Sequence, residues 1–176
     1  MESSTVLPSG ILVDVKNHNY KFYYKPLQSN FAKKTRKEQK YKCYLHVTIF
    51  APQHIHVQDF DCKARGGGKG DGKFLFCEAL KYLKTKLELN PDALVSLTAI
   101  SVVKPTKNEG LHAVQDKLIS YYNKTYGFEV LKEDQVMNIY RTDMSTTLKT
   151  ILDKCSIVKK TMRQKISNML GFLKRK

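Results

Sequence analysis

Apolar and polar positions alternate at short range in the first third of the chain and shift to helical spacing beyond it. Gly10–Val15 (GILVDV) and Tyr20–Pro26 (YKFYYKP) read as two short strands joined by a hairpin turn over Asn17–Asn19. The pattern stops over residues 27–40, LQSNFAKKTRKEQK, which reads as a basic loop. Tyr41–Phe50 (YKCYLHVTIF) and His54–Cys62 (HIHVQDFDC) are rich in β-branched and aromatic residues and predict two more strands around a turn at Ala51–Gln53. Past a glycine-rich stretch the period changes. Phe76, Ala79, Leu80, Leu83 and Leu87 share one face of a helix predicted over about Gly72 to Leu89. Asn90-Pro91-Asp92 ends it, because proline cannot continue a helix.

Ala93–Val103 (ALVSLTAISVV) has the continuous apolar character of a central strand covered on both faces. A second helix follows, with Leu111, Val114, Leu118 and Tyr122 on one face, and then two strands, Gly127–Glu133 and Val136–Met144, about a turn at Glu133–Asp134. Strand, glycine turn, helix, strand, helix, strand is α/β logic with a mixed sheet. From Thr146 the chain is predicted to be helical again. Leu148, Cys155, Met162 and Met169 recur every seven residues, with Leu152, Ile166 and Leu173 as a companion row that Lys159 interrupts. This basic amphipathic extension, residues 145–176, would suit docking on its own domain (residues 1–144), a homodimer seam, or an anionic membrane surface.

The chain of 176 residues is long enough for one domain with a proper core, and a hydrophobic content of 41% excludes wholesale disorder. No apolar run is long enough for a transmembrane segment, and MESSTVLPSG is too polar for a signal peptide, so a cytoplasmic or nuclear protein is expected. The formal charge is +15, unevenly placed: residues 25–42 carry seven basic side chains and one acidic, and residues 159–176 carry seven basic and none acidic. The rest of the chain is close to neutral.

Two segments therefore offer a surface for nucleic acid or an acidic partner, through residues 33–40 (Lys33, Lys34, Arg36, Lys37, Lys40) and 159–176. Tyr20, Phe22, Tyr23, Tyr24 and Phe31 lie near the first of them, where bases could stack. Cys43, Cys62, Cys77 and Cys155 are widely spaced, without C-x-x-C; with an intracellular setting, they are expected as buried or idle thiols rather than disulfides or zinc ligands. His54 and His56 share a strand face as a metal pair would, but no third ligand has suitable spacing, so no metal is expected.

The stretch Ala64–Lys73, ARGGGKGDGK, sits between a predicted strand and a predicted helix. A helix N-terminus offers backbone N–H groups without intrahelical partners, and its dipole favours negative charge. Glycines let that backbone approach a phosphate, and Arg65, Lys69 and Lys73 add cations. Neither the G-x-x-x-x-G-K-[ST] nor the G-x-G-x-x-G phosphate loop is present.

Arg65 to Gly70 instead fits R-x-x-G-x-G, and LISYYNKTYGFEV (Leu118–Val130) places tyrosines before a Gly-Phe that opens a strand. Together these segments resemble the acetyl-CoA-binding signature and the tyrosine-bearing helix of the GNAT superfamily of N-acetyltransferases, over a core from Lys42 to Met144. The resemblance implies a GNAT-like mixed, largely antiparallel sheet flanked by helices, carrying the extra basic C-terminal helix. It implies an enzyme that moves an acetyl group directly from acetyl-CoA to an amine of a protein or small molecule.

The main chain of Arg65, Gly66, Gly67, Gly68, Lys69 and Gly70, with Gly72 alongside, would hold the CoA pyrophosphate. An amide near Phe60 to Cys62 would polarise the thioester carbonyl, and Tyr122 would protonate the departing thiolate. Tyr121 and Tyr126 are alternatives, since Asn123 occupies the position that matches the family's tyrosine most directly. Asp71 departs from the family pattern, which carries an apolar residue there. His56, Asp59 and Asp61 are offered as general bases, and the sequence does not choose among them. The competing reading is a basic nucleic-acid- or partner-binding module on the same fold without catalysis.

Overall fold

The computed structural model describes residues 2–26, 41–62, 70–101, 111–136 and 139–156. Among the described residues, eight strands form one sheet: β1 (Glu2–Val6), β2 (Leu12–Lys16), β3 (Asn19–Pro26), β4 (Tyr41–Ala51), β5 (His54–Cys62), β6 (Leu94–Ser101), β7 (Glu129–Val136) and β8 (Ile139–Thr147). Helix α1 (Asp71–Lys86) joins β5 to β6, and α2 (Leu111–Tyr126) joins β6 to β7. Residues 148–156 are helical and form α3. The strand order is β1-β2-β3-β4-β5-β6-β8-β7, and every neighbouring pair is antiparallel except β5–β6. This is the mixed, largely antiparallel α/β sheet that the sequence predicts. The single parallel pair follows from the helical crossover, since parallel neighbours need a long connection and antiparallel ones do not.

The early hairpin turns at Asn17, whose φ of 55° suits the left-handed region that asparagine tolerates. The structure adds β1, which the sequence reading left unassigned. Glu2–Val6 is a short polar edge strand whose Ser4 hydroxyl donates to Asp14 Oδ1 at 2.5 Å. The last hairpin is a second correction: β7 runs on through Glu133 and Asp134, and Val136 pairs with Ile139. β7 is the other edge of the sheet, with its described side chains from Glu129 to Glu133 exposed, so a polar run that resembles a turn is accommodated there.

The helices pack on one face over a core that includes Phe22, Leu45, Ile55, Leu75, Phe76, Leu80, Leu83, Tyr126, Phe128, Met144 and Leu148. Phe76 of α1 meets Phe60 of β5 at 5.3 Å between ring centroids and Tyr126 of α2 at 4.4 Å, so one ring joins sheet, crossover and second helix. Tyr20, Phe22 and Tyr23 are buried in the sheet rather than presented for base stacking, which removes them from that role. Gln115 is buried on α2, and its amide donates to Ala99 O and Thr142 Oγ1 at 3.1 and 2.8 Å, tying the helix to β6 and β8. Thr147 ends β8 and caps α3, accepting from the Thr150 N–H at 3.2 Å.

The cysteines are not idle thiols: Cys43 is bonded to Cys62, and Cys77 to Cys155. The first pair lies directly opposite in the β4–β5 register, and the second joins the buried side of α1 to α3. Sequence separations of 19 and 78 residues concealed both pairings. Of the predicted heptad row, Leu148 and Cys155 are buried against the domain, while Met162 and Met169 lie outside the described residues.

Candidate functional site

Strands β5 and β6 pair only from His54–Val57 to Leu94–Leu97. Beyond Val57, β5 stays with β4 through Cys62, whereas β6 stays with β8 through Ser101. The sheet therefore opens into a V between them. Helix α1 sits close against the β5 arm: a Cβ on Gly72 would lie 3.0 Å from Cys62 Sγ and 3.3 Å from Phe60 Cζ, so a glycine is needed for close approach rather than for φ.

The geometry also settles where two amides point. Cys43 and Cys62 have Cα atoms 4.1 Å apart, the spacing of a non-hydrogen-bonded antiparallel pair. The alternation continues to Leu45 and Phe60, so the N–H groups of Phe60 and Cys62 face away from β4, toward the opening. The Cys62 side chain is committed to the disulfide, leaving its main chain as the part that faces the V.

Gly70 caps α1 with φ 109°, and its carbonyl accepts from Phe74 N–H at 2.8 Å; no side chain caps this helix end. Asp71, the acid that departs from the family pattern, forms an ion pair with Lys42 of β4 at 2.5 Å, both side chains being largely buried. Its charge is thus neutralised locally. Lys73 follows in the first turn, its ammonium depressed below the ordinary lysine range by burial and then by neighbouring Lys154. Lys154 donates to the carbonyls of Asn123 and Lys124 at the end of α2 at 3.1 and 3.2 Å. Lys73 and Lys154 are thus electrostatically coupled.

The C-terminal turn of α2 faces the same region. Gly127 has φ 82°, and its N–H donates to Asn123 O at 2.8 Å, ending the helix in the left-handed conformation that glycine favours. The Asn123 amide donates to Phe128 O at 2.9 Å, so this residue shapes the helix end. Tyr126 is fully buried between Phe76 and Phe128, and Tyr121 is partly exposed with its hydroxyl 3.4 Å from that of Tyr126. Tyr122 has a different setting. Burial, Tyr121 and Asp59 of β5 together push its hydroxyl up to about 12. The Asp59 contribution places that hydroxyl within electrostatic reach of the β5 arm of the V.

On the sheet face away from the helices, Ser96 Oγ lies 2.8 Å from His54 Nε2 and 3.0 Å from His56 Nδ1. Thr98 donates to Asp143 at 2.7 Å, and Tyr44 donates to Asp59 at 2.8 Å. Sequence reasoning named the histidines and Asp59 but missed Ser96, Lys42, Lys154 and Asp143. Phe60, Cys62, Gly70 and Gly72 lie along the β5 arm and the start of α1, whereas Tyr122 packs against Tyr121, Tyr126 and Phe128. Arg65, Gly66, Gly67, Gly68 and Lys69, and the basic segments 33–40 and 159–176, lie outside the described residues. Among the described residues, no group of three His, Cys, Asp or Glu could hold a metal ion, and no helix is long and apolar enough to cross a membrane.

No family model matches the chain, and no curated protein matches it in sequence. Solved structures do resemble it. A dodecameric structure of spermidine N-acetyltransferase from Vibrio cholerae is 14% identical with a TM-score of 0.51, over 78% of this chain and 70% of that one. A complex of the Vibrio cholerae enzyme with CoA and spermine is 14% identical with a TM-score of 0.50, over 77% of this chain and 69% of that one. At such identities the likeness is one of fold: this chain shares the fold of these two structures.

Proposed function

We propose that the protein transfers an acetyl group from acetyl-CoA to an amine by direct attack. The observation that carries this reading is the V between β5 and β6, with the glycine-capped start of α1 close against its β5 arm. The residues present suit a diphosphate. Gly72 keeps α1 close to β5, Asp71 is neutralised by Lys42, and Lys73 and Lys154 supply positive charge. In this reading the main chain from Arg65 to Gly70, with Gly72 alongside, holds the CoA pyrophosphate at the helix N-terminus.

Acetyl-CoA brings the activated acyl group; the chain supplies position and polarity. The Phe60 and Cys62 amides face the opening, where a hydrogen bond to a thioester oxygen stabilises the negative charge that develops there. Tyr122, like any tyrosine, is protonated near neutral pH and in this reading donates its proton to the departing thiolate. Holding donor and amine in line provides much of the remaining acceleration. The solved neighbour binds spermine, a polyamine; for this chain the acceptor class proposed is an amine.

The test is mass-spectrometric detection of acetylated product from acetyl-CoA and a panel of amines, with wild type beside Tyr122→Phe. The expected result is product with wild type and a fall in kcat of about 100-fold in the variant, with affinity for acetyl-CoA retained. Absence of product across polyamines, aryl amines and lysine peptides would refute the reading.

A further inference from the structure

We infer that Cys62 is a site of covalent CoA attachment: the thiol released by acetyl transfer exchanges into the Cys43–Cys62 disulfide and leaves CoA bonded to Cys62. This assignment rests on the acetyl-transfer reading, in which that thiol forms beside β5. The disulfide lies at the far end of the free β5 arm. β5 pairs with β6 only through Val57, and Cys62 is the last residue of β5, still opposite Cys43 of β4. The Cys62 amide faces the opening, and Sγ is joined to it through Cα and Cβ alone. A thioester whose carbonyl is held at that amide therefore sets its sulfur beside this disulfide.

Access selects one sulfur. Cys43 is fully buried, and β3 pairs on its other side with Tyr24 opposite it. Cys77 and Cys155 are buried where α1 meets α3. Cys62 is only partly buried. Thiol–disulfide exchange is a displacement at sulfur, so the incoming thiolate lies in line with the bond that breaks. The Cys43–Cys62 bond runs from β4 to β5, and the line of attack on Cys62 Sγ arrives from the side away from β4. Among the described residues, β5 has no strand on that side beyond Val57. Helix α1 leaves the sulfur uncovered as well. A Cβ on Gly72 would stand 3.0 Å from Cys62 Sγ, so any larger side chain there would crowd it.

One disulfide is exchanged for another, so no oxidant or reductant enters. The CoA thiol gives up its proton, and its sulfur forms a bond to Cys62 Sγ. The Cys62–Cys43 bond breaks, its electron pair stays on Cys43, and Cys43 takes a proton. Burial keeps Cys43 as the neutral thiol. Tethered CoA then fills the V and shuts out acetyl-CoA until a thiol reductant cleaves the new bond. Accumulated product thus arrests the protein reversibly.

The experiment incubates the oxidised, intact protein with CoA in the absence of reductant. Samples are quenched in acid, alkylated with N-ethylmaleimide in denaturant and mapped by peptide mass spectrometry. The expected product carries CoA on Cys62 and the alkyl group on Cys43, with Cys77 still bonded to Cys155. Its rate of formation should saturate with CoA, and glutathione at the same concentration should react at least about tenfold more slowly. Acetyl-CoA, which has no free thiol, should suppress the adduct by competition, and dithiothreitol should reverse it. In Cys43→Ser, which leaves Cys62 without a disulfide, CoA should form no adduct. Absence of the wild-type adduct overturns the attachment, and does so alone if the protein acetylates amines. CoA on Cys77 or Cys155, equal rates with glutathione, or no competition by acetyl-CoA also overturn it. An adduct that acetyl-CoA suppresses, in a protein that acetylates no amine, establishes Cys62 as the attachment site and overturns the acetyl-transfer reading instead.

Discussion

Replacing Cys77 and Cys155 together by alanine removes the link between α1 and α3 and tests how this domain is held. The bond closes a sequence separation of 78 residues. Chain entropy released in the unfolded state gives about 4.5 kcal/mol for a loop of that length. The Cys43–Cys62 bond closes a separation of 19 residues, for which the same relation gives about 3.2 kcal/mol. The two loops do not overlap, so the two contributions should add when the bonds are removed together. For a chain of this size each kcal/mol moves the melting temperature by about 2–4 °C, so losing the longer link should lower it by about 9–18 °C.

The assay is calorimetric melting of wild type and both double-alanine variants, with and without reductant, beside mass-spectrometric counting of alkylated thiols. The Cys77→Ala/Cys155→Ala protein should melt lowest of the two variants, and reductant should leave it sensitive only to loss of the shorter link. If wild type is fully alkylated without reductant, or if reductant moves its melting temperature by less than about 3 °C, the pairing is refuted.

Further predictions follow from particular contacts. Gly127→Ala must hold alanine at φ 82° with its Cβ 2.6 Å from Thr150 Cγ2, so urea unfolding should show a loss of about 2–4 kcal/mol. Gly10→Ala has similar φ but open space around the new Cβ, and should cost only about 1–2 kcal/mol; equal losses would contradict the contact. Lys42→Met removes the ion pair with Asp71 and should weaken acetyl-CoA binding about tenfold, with Asp71→Asn restoring it in the same background; additive losses in a titration would refute the pairing. The Tyr122 hydroxyl is raised from 10.0 to about 12, so the unfolded chain loses this proton first and stability declines as pH rises through that range. The loss from this residue should reach roughly 2–3 kcal/mol near pH 12, and its absence from the difference between wild type and Tyr122→Phe would contradict the burial of that hydroxyl.

Much of the fold was legible because alternation and helical periodicity report burial on one face, and this sheet has one face under helices. β4, β5 and the apolar β6 declare themselves in that way. The edges do not: Glu2–Val6 is polar, and residues 132–135 resemble a turn because an edge strand facing solvent carries no buried stripe. Pairings that depend on register were also hidden. Cys43 and Cys62 are meaningful to each other only once β4 and β5 lie antiparallel, and Ser96 is an ordinary residue in an apolar run until β6 comes to lie beside His56. For the site, glycines before a helix and tyrosines before Gly-Phe were visible locally. The neutralising partner of Asp71 was not, because Lys42 lies 29 residues earlier in the chain.

Backbone amide hydrogen exchange, followed while acetyl-CoA is titrated into the wild-type protein, tests the central claim most directly. Saturable slowing of exchange is expected over residues 58–76, the β5 arm, the glycine turn and the first turn of α1, complete by about 1 mM acetyl-CoA. Exchange in that stretch unchanged at this concentration, or protection confined to another part of the sheet, would contradict the claim that the V between β5 and β6 is where the thioester is held.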